Sequence, residues 1–168
     1  VNAVFFLMPV LAMGECMDNL GATNCGPGEV PLLRAVGVVT TNQTTVKGES
    51  FIQGKLYANK TSFQDIHIDG SARVENSQIQ HLMTINGFLI ADQSQFQNIE
   101  ISSNQMVLKG SSVQQIRFRS SGAHSEITLE NGTQVQGDIY FEGNAGTVYL
   151  NGGSTIHGSV VNGEVKKR

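Results

Sequence analysis

The chain has no Trp, only two Cys and unusually few charges, and each shortage removes a class of protein. Charged residues make up 15% of the 168 residues, against roughly a quarter in an average domain. The net charge of −3 leaves no electrostatic footprint for nucleic acid, and Lys166-Lys167-Arg168 is too short to supply one. Two cysteines are too few for a structural zinc site, and no His lies near them in sequence. With no Trp and little helical periodicity after residue 40, a helical protein is excluded. What is present is Gly, at 19 residues, with abundant Ser, Thr, Asn and Gln. That balance suits one β-rich domain with an uncharged polar surface.

A repeated phrase organises this material. In Ser94-Gln95-Phe96-Gln97 a small hydroxyl residue precedes a polar one, a large apolar one and glutamine. It recurs at Thr44–Lys47, Thr61–Gln64, Ser77–Gln80, Ser111–Gln114, Thr133–Gln136 and Ser154–His157. The apolar anchors Val46, Phe63, Ile79, Phe96, Val113, Val135 and Ile156 are 17, 16, 17, 17, 22 and 21 residues apart. Such self-similarity marks a repeat architecture. Within each unit, pairs such as Ile66/Ile68, Ile99/Ile101, Met106/Leu108, Ile116/Phe118, Ile127/Leu129, Ile139/Phe141 and Val148/Leu150 alternate with period two, the mark of short strands with one buried face. Asn76, Asn131-Gly132, Gly143-Asn144 and Asn151-Gly152-Gly153 mark the turns.

The expected fold class is all-β, a single-domain right-handed parallel β-helix of about seven coils over residues 44–165. The right hand is chosen because coils of varying length suit it, the extra residues falling between Phe118 and Ile127 and between Phe141 and Val148. Seven coils make a rod of roughly 30 Å. The five glutamines Gln64, Gln80, Gln97, Gln114 and Gln136 fall in one column, flanked by Lys47 and His157, where side-chain amides can hydrogen-bond from coil to coil. Two positions before each anchor runs an unbroken hydroxyl column.

The remaining segments read as follows. Val1–Gly14 has the apolar content of a secretory-signal core, with Ala12 and Gly14 as the small residues for cleavage before Glu15; a buried N-terminal strand is the alternative. The run is shorter than the about 20 residues of a transmembrane helix. Glu15 before Cys16 argues against a lipobox. In an oxidising compartment Cys16 and Cys25 would close a small disulfide ring; two free thiols is the reading if the chain stays in a reducing one. Residues 15–43 form an N-terminal extension, in which Leu32–Thr40 is a short strand or helix covering the first coil, since a stack of coils leaves unpaired backbone at its ends. Residues 166–168 form a basic tail, a gatekeeper against edge pairing.

Nothing here predicts catalysis, a cofactor or a metal. His67, His81, His124 and His157 have no second ligand at metal-binding spacing. Glu100, Arg117, Arg119 and Asp138 can approach one another on adjacent coils, as in β-helical polysaccharide enzymes, but cross-strand charge pairing accounts for them equally. No nucleophile elbow, phosphate-binding loop or Ser/His/Asp arrangement is present. The sequons at Asn42, Asn59 and Asn131 share one corner of the repeat and read as turns.

Residues 44–165, with Val46-Lys47-Gly48, Val135-Gln136-Gly137 and Ile156-His157-Gly158 opening coils, resemble the bactofilin-type polymer-forming β-helix. That resemblance implies a cytoplasmic scaffold polymerising through its rod ends. The signal-like start and the cysteine pair depart from it. Small exported β-helices are also similar in kind to accessory subunits of bacterial envelope secretion cores. The expected function is therefore a non-catalytic scaffold of the bacterial envelope, periplasmic or peripherally associated with the outer membrane. It would dock with protein partners or self-associate through its ends. A secreted glycan-binding module using the Gln64–Gln136 column is the alternative, and a carbohydrate-active enzyme stands third.

Overall fold

The computed structural model describes residues 16–168, and among them there is no helix. Twenty strands form one continuous sheet wound into a parallel β-solenoid. Each turn contributes three segments, and each segment stacks on its equivalent one turn away. The first wall runs from Leu33–Val36 through 50–53 and 66–69 to Val160-Val161. The second begins at Ala22–Cys25 and ends at Gly163–Lys167. The third begins at Gly28–Val30 and ends at Thr155-Ile156.

Nine strands stack in the second wall, so the solenoid has about nine turns where the repeated phrase announces seven. The difference lies at both ends. Val30 pairs with Val46 and is an anchor one turn earlier, but Gly28-Glu29-Val30 lacks the hydroxyl that identifies the phrase. At the other end, Lys166 and Lys167 belong to the last strand, paired with Tyr149 and Leu150. Leu33–Asn42 is a strand of the stack itself, in register with Ser50–Asn59 over ten residues. At about 4.8 Å per turn, the rod is roughly 40 Å long.

The core is a column inside the three walls. The alternating pairs supply Ile66/Ile68, Met83/Ile85 and Ile99/Ile101 from the first wall and Leu89/Ala91 and Met106/Leu108 from the second, while Phe63, Ile79, Phe96 and Val113 come from the third. Every one is buried, because period-two alternation sends residues i and i+2 to the same side of a strand. Phe118 and Phe141 stack on consecutive turns with ring centroids 5.6 Å apart.

Two corners carry the register. Between first and second walls, Gly37, Gly54, Gly70 and Gly87 stack with φ between 109° and 144°, a region L-residues rarely enter. A Cβ on Gly54 would overlap the carbonyl oxygen of Gly37, and the same holds for Gly70 over Gly54 and Gly87 over Gly70. Past Gly87 this ladder ends and the corner is built by loops, the longest spanning 121–124.

The corner between second and third walls has another solution. A residue at positive φ (Gln43, Lys60, Asn76, Gln93, Gly110, Gly132 or Gly153) directly precedes each hydroxyl residue. The hydroxyl points inward: Thr44, Thr61, Ser77, Ser94, Ser111, Thr133 and Ser154 are all buried. The amide N–H of Thr61 donates to the Ser77 hydroxyl (3.0 Å), Ser77 to Ser94 (3.1 Å), Ser94 to Ser111 (3.1 Å), Ser111 to Thr133 (3.2 Å) and Thr133 to Ser154 (3.1 Å). Each hydroxyl then donates to a carbonyl of its own turn, as Ser94 does to Asp92 at 2.8 Å. The column thus satisfies backbone amides that the corner would leave buried and unpaired.

Candidate functional site

With the hydroxyls turned inward, the outer surface of the third wall belongs to glutamine. Two outward columns stand there: Thr45, Ser62, Gln78, Gln95, Ser112, Gln134 and Thr155, and beside them Lys47, Gln64, Gln80, Gln97, Gln114, Gln136 and His157. The inward anchor between them fixes this direction, since neighbours of a buried residue face out. Gln80, Gln97, Gln114 and Gln136 are exposed and Gln64 half-buried.

The amide ladder is only partly formed. Gln64 donates to Gln80 at 2.8 Å, Gln80 donates to the Ser62 hydroxyl at 3.1 Å, and Gln136 bonds within its own turn to Gln134 at 3.2 Å. Among the described residues, Gln97 and Gln114 have no such amide link. A short amide ladder across three turns forms at the corner between second and third walls: Asn59 donates to Asn42 (3.2 Å) and Asn76 to Asn59 (3.3 Å).

The first and second walls carry the charges. Arg117 and Arg119 both pair with Glu142, at 3.3 and 3.1 Å. Glu100 stacks beside Arg117 in register, while Asp138 accepts from the Tyr140 hydroxyl (3.1 Å) and the Ser159 amide (2.7 Å). The bond to Asp138 and its charge hold the Tyr140 hydroxyl above its ordinary pKa. Of the four residues weighed as a polysaccharide-enzyme cleft, the arginines pair with Glu142, while Asp138 is linked to Arg117 through Tyr140, whose ring lies 6.0 Å from the guanidinium. His67 points outward with Asp69 at 3.3 Å, and His81 lies 3.7 Å from Asp65. Among the described residues, no three of His, Cys, Asp or Glu are grouped to hold a metal ion.

The N-terminal end has its own character. Cys16–Asn19 folds back antiparallel on Ala22–Cys25, and Cys16 is disulfide-bonded to Cys25 directly across the hairpin. This hairpin closes the second wall only. On the first wall, Leu33–Val36 has a partner strand on one side alone among the described residues. The first turns also expose Met17, Leu20 (104% exposed), Leu32, Val36 (70%), Val38, Phe51 and Tyr57. Seven of the nine large apolar side chains exposed among the described residues therefore crowd the first turns. Arg34 lies over the Phe51 ring at 5.0 Å. At the other end Arg168 covers the Tyr149 ring at 3.7 Å, and Lys166 pairs with Glu164 at 2.9 Å, which lowers the carboxyl pKa and raises that of the amine.

Fold and surface together define a parallel β-solenoid repeat protein with a stapled N-terminal hairpin. Compared with protein-family models, with curated proteins and with solved structures, the chain matches none. The signal-like run Val1–Gly14 lies outside the described residues.

Proposed function

We propose that the protein is a non-catalytic structural subunit of the bacterial envelope that docks through the N-terminal end of its rod into a larger assembly. The observation that carries this is the set of exposed apolar side chains Leu20, Leu32, Val36 and Val38 in the first turns, beside Leu33–Val36, which has a partner strand on one side alone among the described residues. Exposed apolar area beside a sheet edge is a liability in a free monomer, and it is the chemistry of a protein contact surface. The disulfide between Cys16 and Cys25 favours an exported, oxidising location, in keeping with the signal-like start.

The hairpin bears on the form of assembly. A bactofilin-like scaffold polymerises through rod ends, but here an antiparallel strand stands where the second wall of another copy would continue the stack. At the C-terminal edge, Lys166 and Lys167 lie on the last strand, a placement that discourages strand addition. Both features favour a defined subunit, such as an accessory component of a secretion core, over an open homopolymer.

The test is affinity purification of the tagged protein from its native envelope, with light scattering on the isolated protein. Recovery in a large complex, with a monomer when isolated, supports docking, and Leu20→Lys/Val36→Lys should abolish that recovery without changing the melting curve. Recovery of the wild type alone, as a monomer, overturns the proposal.

A further inference from the structure

We infer that the outer surface of the third wall is a binding site for a neutral, extended polysaccharide laid along the rod. This inference is independent of the docking end. Five consecutive turns, at 62–64, 78–80, 95–97, 112–114 and 134–136, present no charged and no apolar side chain outward; what they present is Gln and Ser. The charges of the same turns are held on the other two walls and at the corners, as Arg73–Glu75, Lys109–Glu130 and Arg117–Glu142 show.

That partition selects the ligand. A protein partner would need apolar or aromatic anchors at the centre of the contact, and this wall offers none. A nucleic acid or an acidic polymer would need rows of cations, and the margin offers only Lys47, already paired with Glu29 at 3.1 Å, and Lys60 at the corner. A sugar hydroxyl both donates and accepts, and so does a primary amide. The groove between the columns is lined by Gln78, Gln80, Gln95, Gln97, Ser112 and Gln114 and is strongly polar, with His81 at its margin beside Asp65. The glutamines are also not needed to hold the register, which the buried hydroxyl ladder and the glycine corner already fix.

Length follows from the same geometry. Equivalent amides repeat at the strand spacing of about 4.8 Å, close to the advance per sugar of an extended β-1,4-linked chain. Without an aromatic platform each sugar is held by hydrogen bonds to exposed groups alone, which contribute little singly. Affinity must then accumulate over successive turns, so a polymer binds and a disaccharide does not.

The experiment is affinity electrophoresis of the full chain through gels containing hydroxyethyl cellulose, a neutral soluble β-1,4-glucan, with polymer-free and carboxymethyl cellulose gels as references. The neutral polymer should retard the wild type more than the anionic one does, and cello-oligosaccharides should compete more strongly with each added sugar. Gln95→Glu/Gln97→Glu/Gln114→Glu should weaken retardation at least about tenfold, and the milder Gln97→Ala/Gln114→Ala should also weaken it. Glu126→Gln, on the second wall, should leave it unchanged. Melting curves check that each variant is folded. Equal migration with and without hydroxyethyl cellulose overturns the inference, as does competition independent of oligosaccharide length. Undiminished retardation of both folded glutamine variants also overturns it. Light scattering that shows the glutamine variants losing a dimer present in the wild type would overturn it in favour of a second copy of this chain on the wall.

Discussion

Ser94 shows how much of this fold rests on single small side chains. Its hydroxyl accepts the Ser77 amide and donates to the Asp92 carbonyl, with 1% of the residue exposed. Ser94→Ala removes both bonds and strands the Ser77 N–H in the interior, which costs about 1–3 kcal/mol; urea unfolding measures it. Ser112→Ala, half-buried on the outer side of the third wall, should change stability by less than about 0.5 kcal/mol. If the two variants unfold alike, the inward ladder does not hold the corner. Gly54 makes the complementary case, combining a φ of 139° with a Cβ position already occupied by the Gly37 carbonyl. Gly54→Ala should cost at least about 2–3 kcal/mol, while Gly132→Ala, at φ 74° with open space around it, should cost only about 1 kcal/mol. The hydroxyl column was legible in the sequence as a register, but its inward direction was not: beside the glutamines it reads as part of one polar face, whereas the positive-φ residue before each hydroxyl turns it into the interior. The glycine ladder was legible only as a spacing of 17, 16 and 17 residues between Gly37, Gly54, Gly70 and Gly87, in phrases that share nothing else.

Among elements, the strands were easier to read than the ends of the stack. Pairs such as Ile66/Ile68 and Ile99/Ile101 announce themselves by alternation, and all four residues are buried. Leu33–Asn42 is ambiguous in sequence because Val36, Val38 and Val39 break strict alternation; Val36 and Val38 turn out to face solvent at the open end. The hairpin beside it needs its disulfide. Its four-residue strands pair with each other, and one of them continues the second wall through Val38–Thr41. A two-stranded ribbon this short is marginal unaided, and the crosslink restricts the unfolded loop by an amount worth about 2–3 kcal/mol. Cys16→Ser/Cys25→Ser should therefore free the hairpin locally. Hydrogen exchange should accelerate in Cys16–Asn19 and Ala22–Cys25 while Ile66–Glu75 stays protected. Unchanged protection of the hairpin would mean that packing of Thr23 and its neighbours suffices.

The whole molecule is a one-dimensional stack, and its stability should be distributed accordingly. Each turn touches only the turns before and after it, so a middle turn has two interfaces and a terminal turn one. The inner side chains of the middle turns, Ile66 to Leu108, are nearly all inaccessible, whereas in Gly163–Lys167 no residue is buried. The charge pair on that last strand does not compensate. Glu164 and Lys166 are solvent-exposed; the carboxylate's share is present above its unfolded pKa and disappears as pH falls through its lowered folded value. Native-state hydrogen exchange at low denaturant should then give a gradient: lowest opening free energies in Gly163–Lys167, rising through Gly146–Leu150, and highest in Gln95–Ser103 and Gln105–Lys109. Phe63→Ala should steepen it from the other side. It removes a fully buried anchor at a cost of about 3–5 kcal/mol, and in a stack this loss should lower protection in adjacent turns before it reaches the last ones. Uniform protection from Leu33 to Lys167, lowered uniformly by Phe63→Ala, would instead mean that the nine turns unfold as one unit. The rod would then act as a single rigid strut, in which a disturbance at either end is felt along the whole glutamine wall.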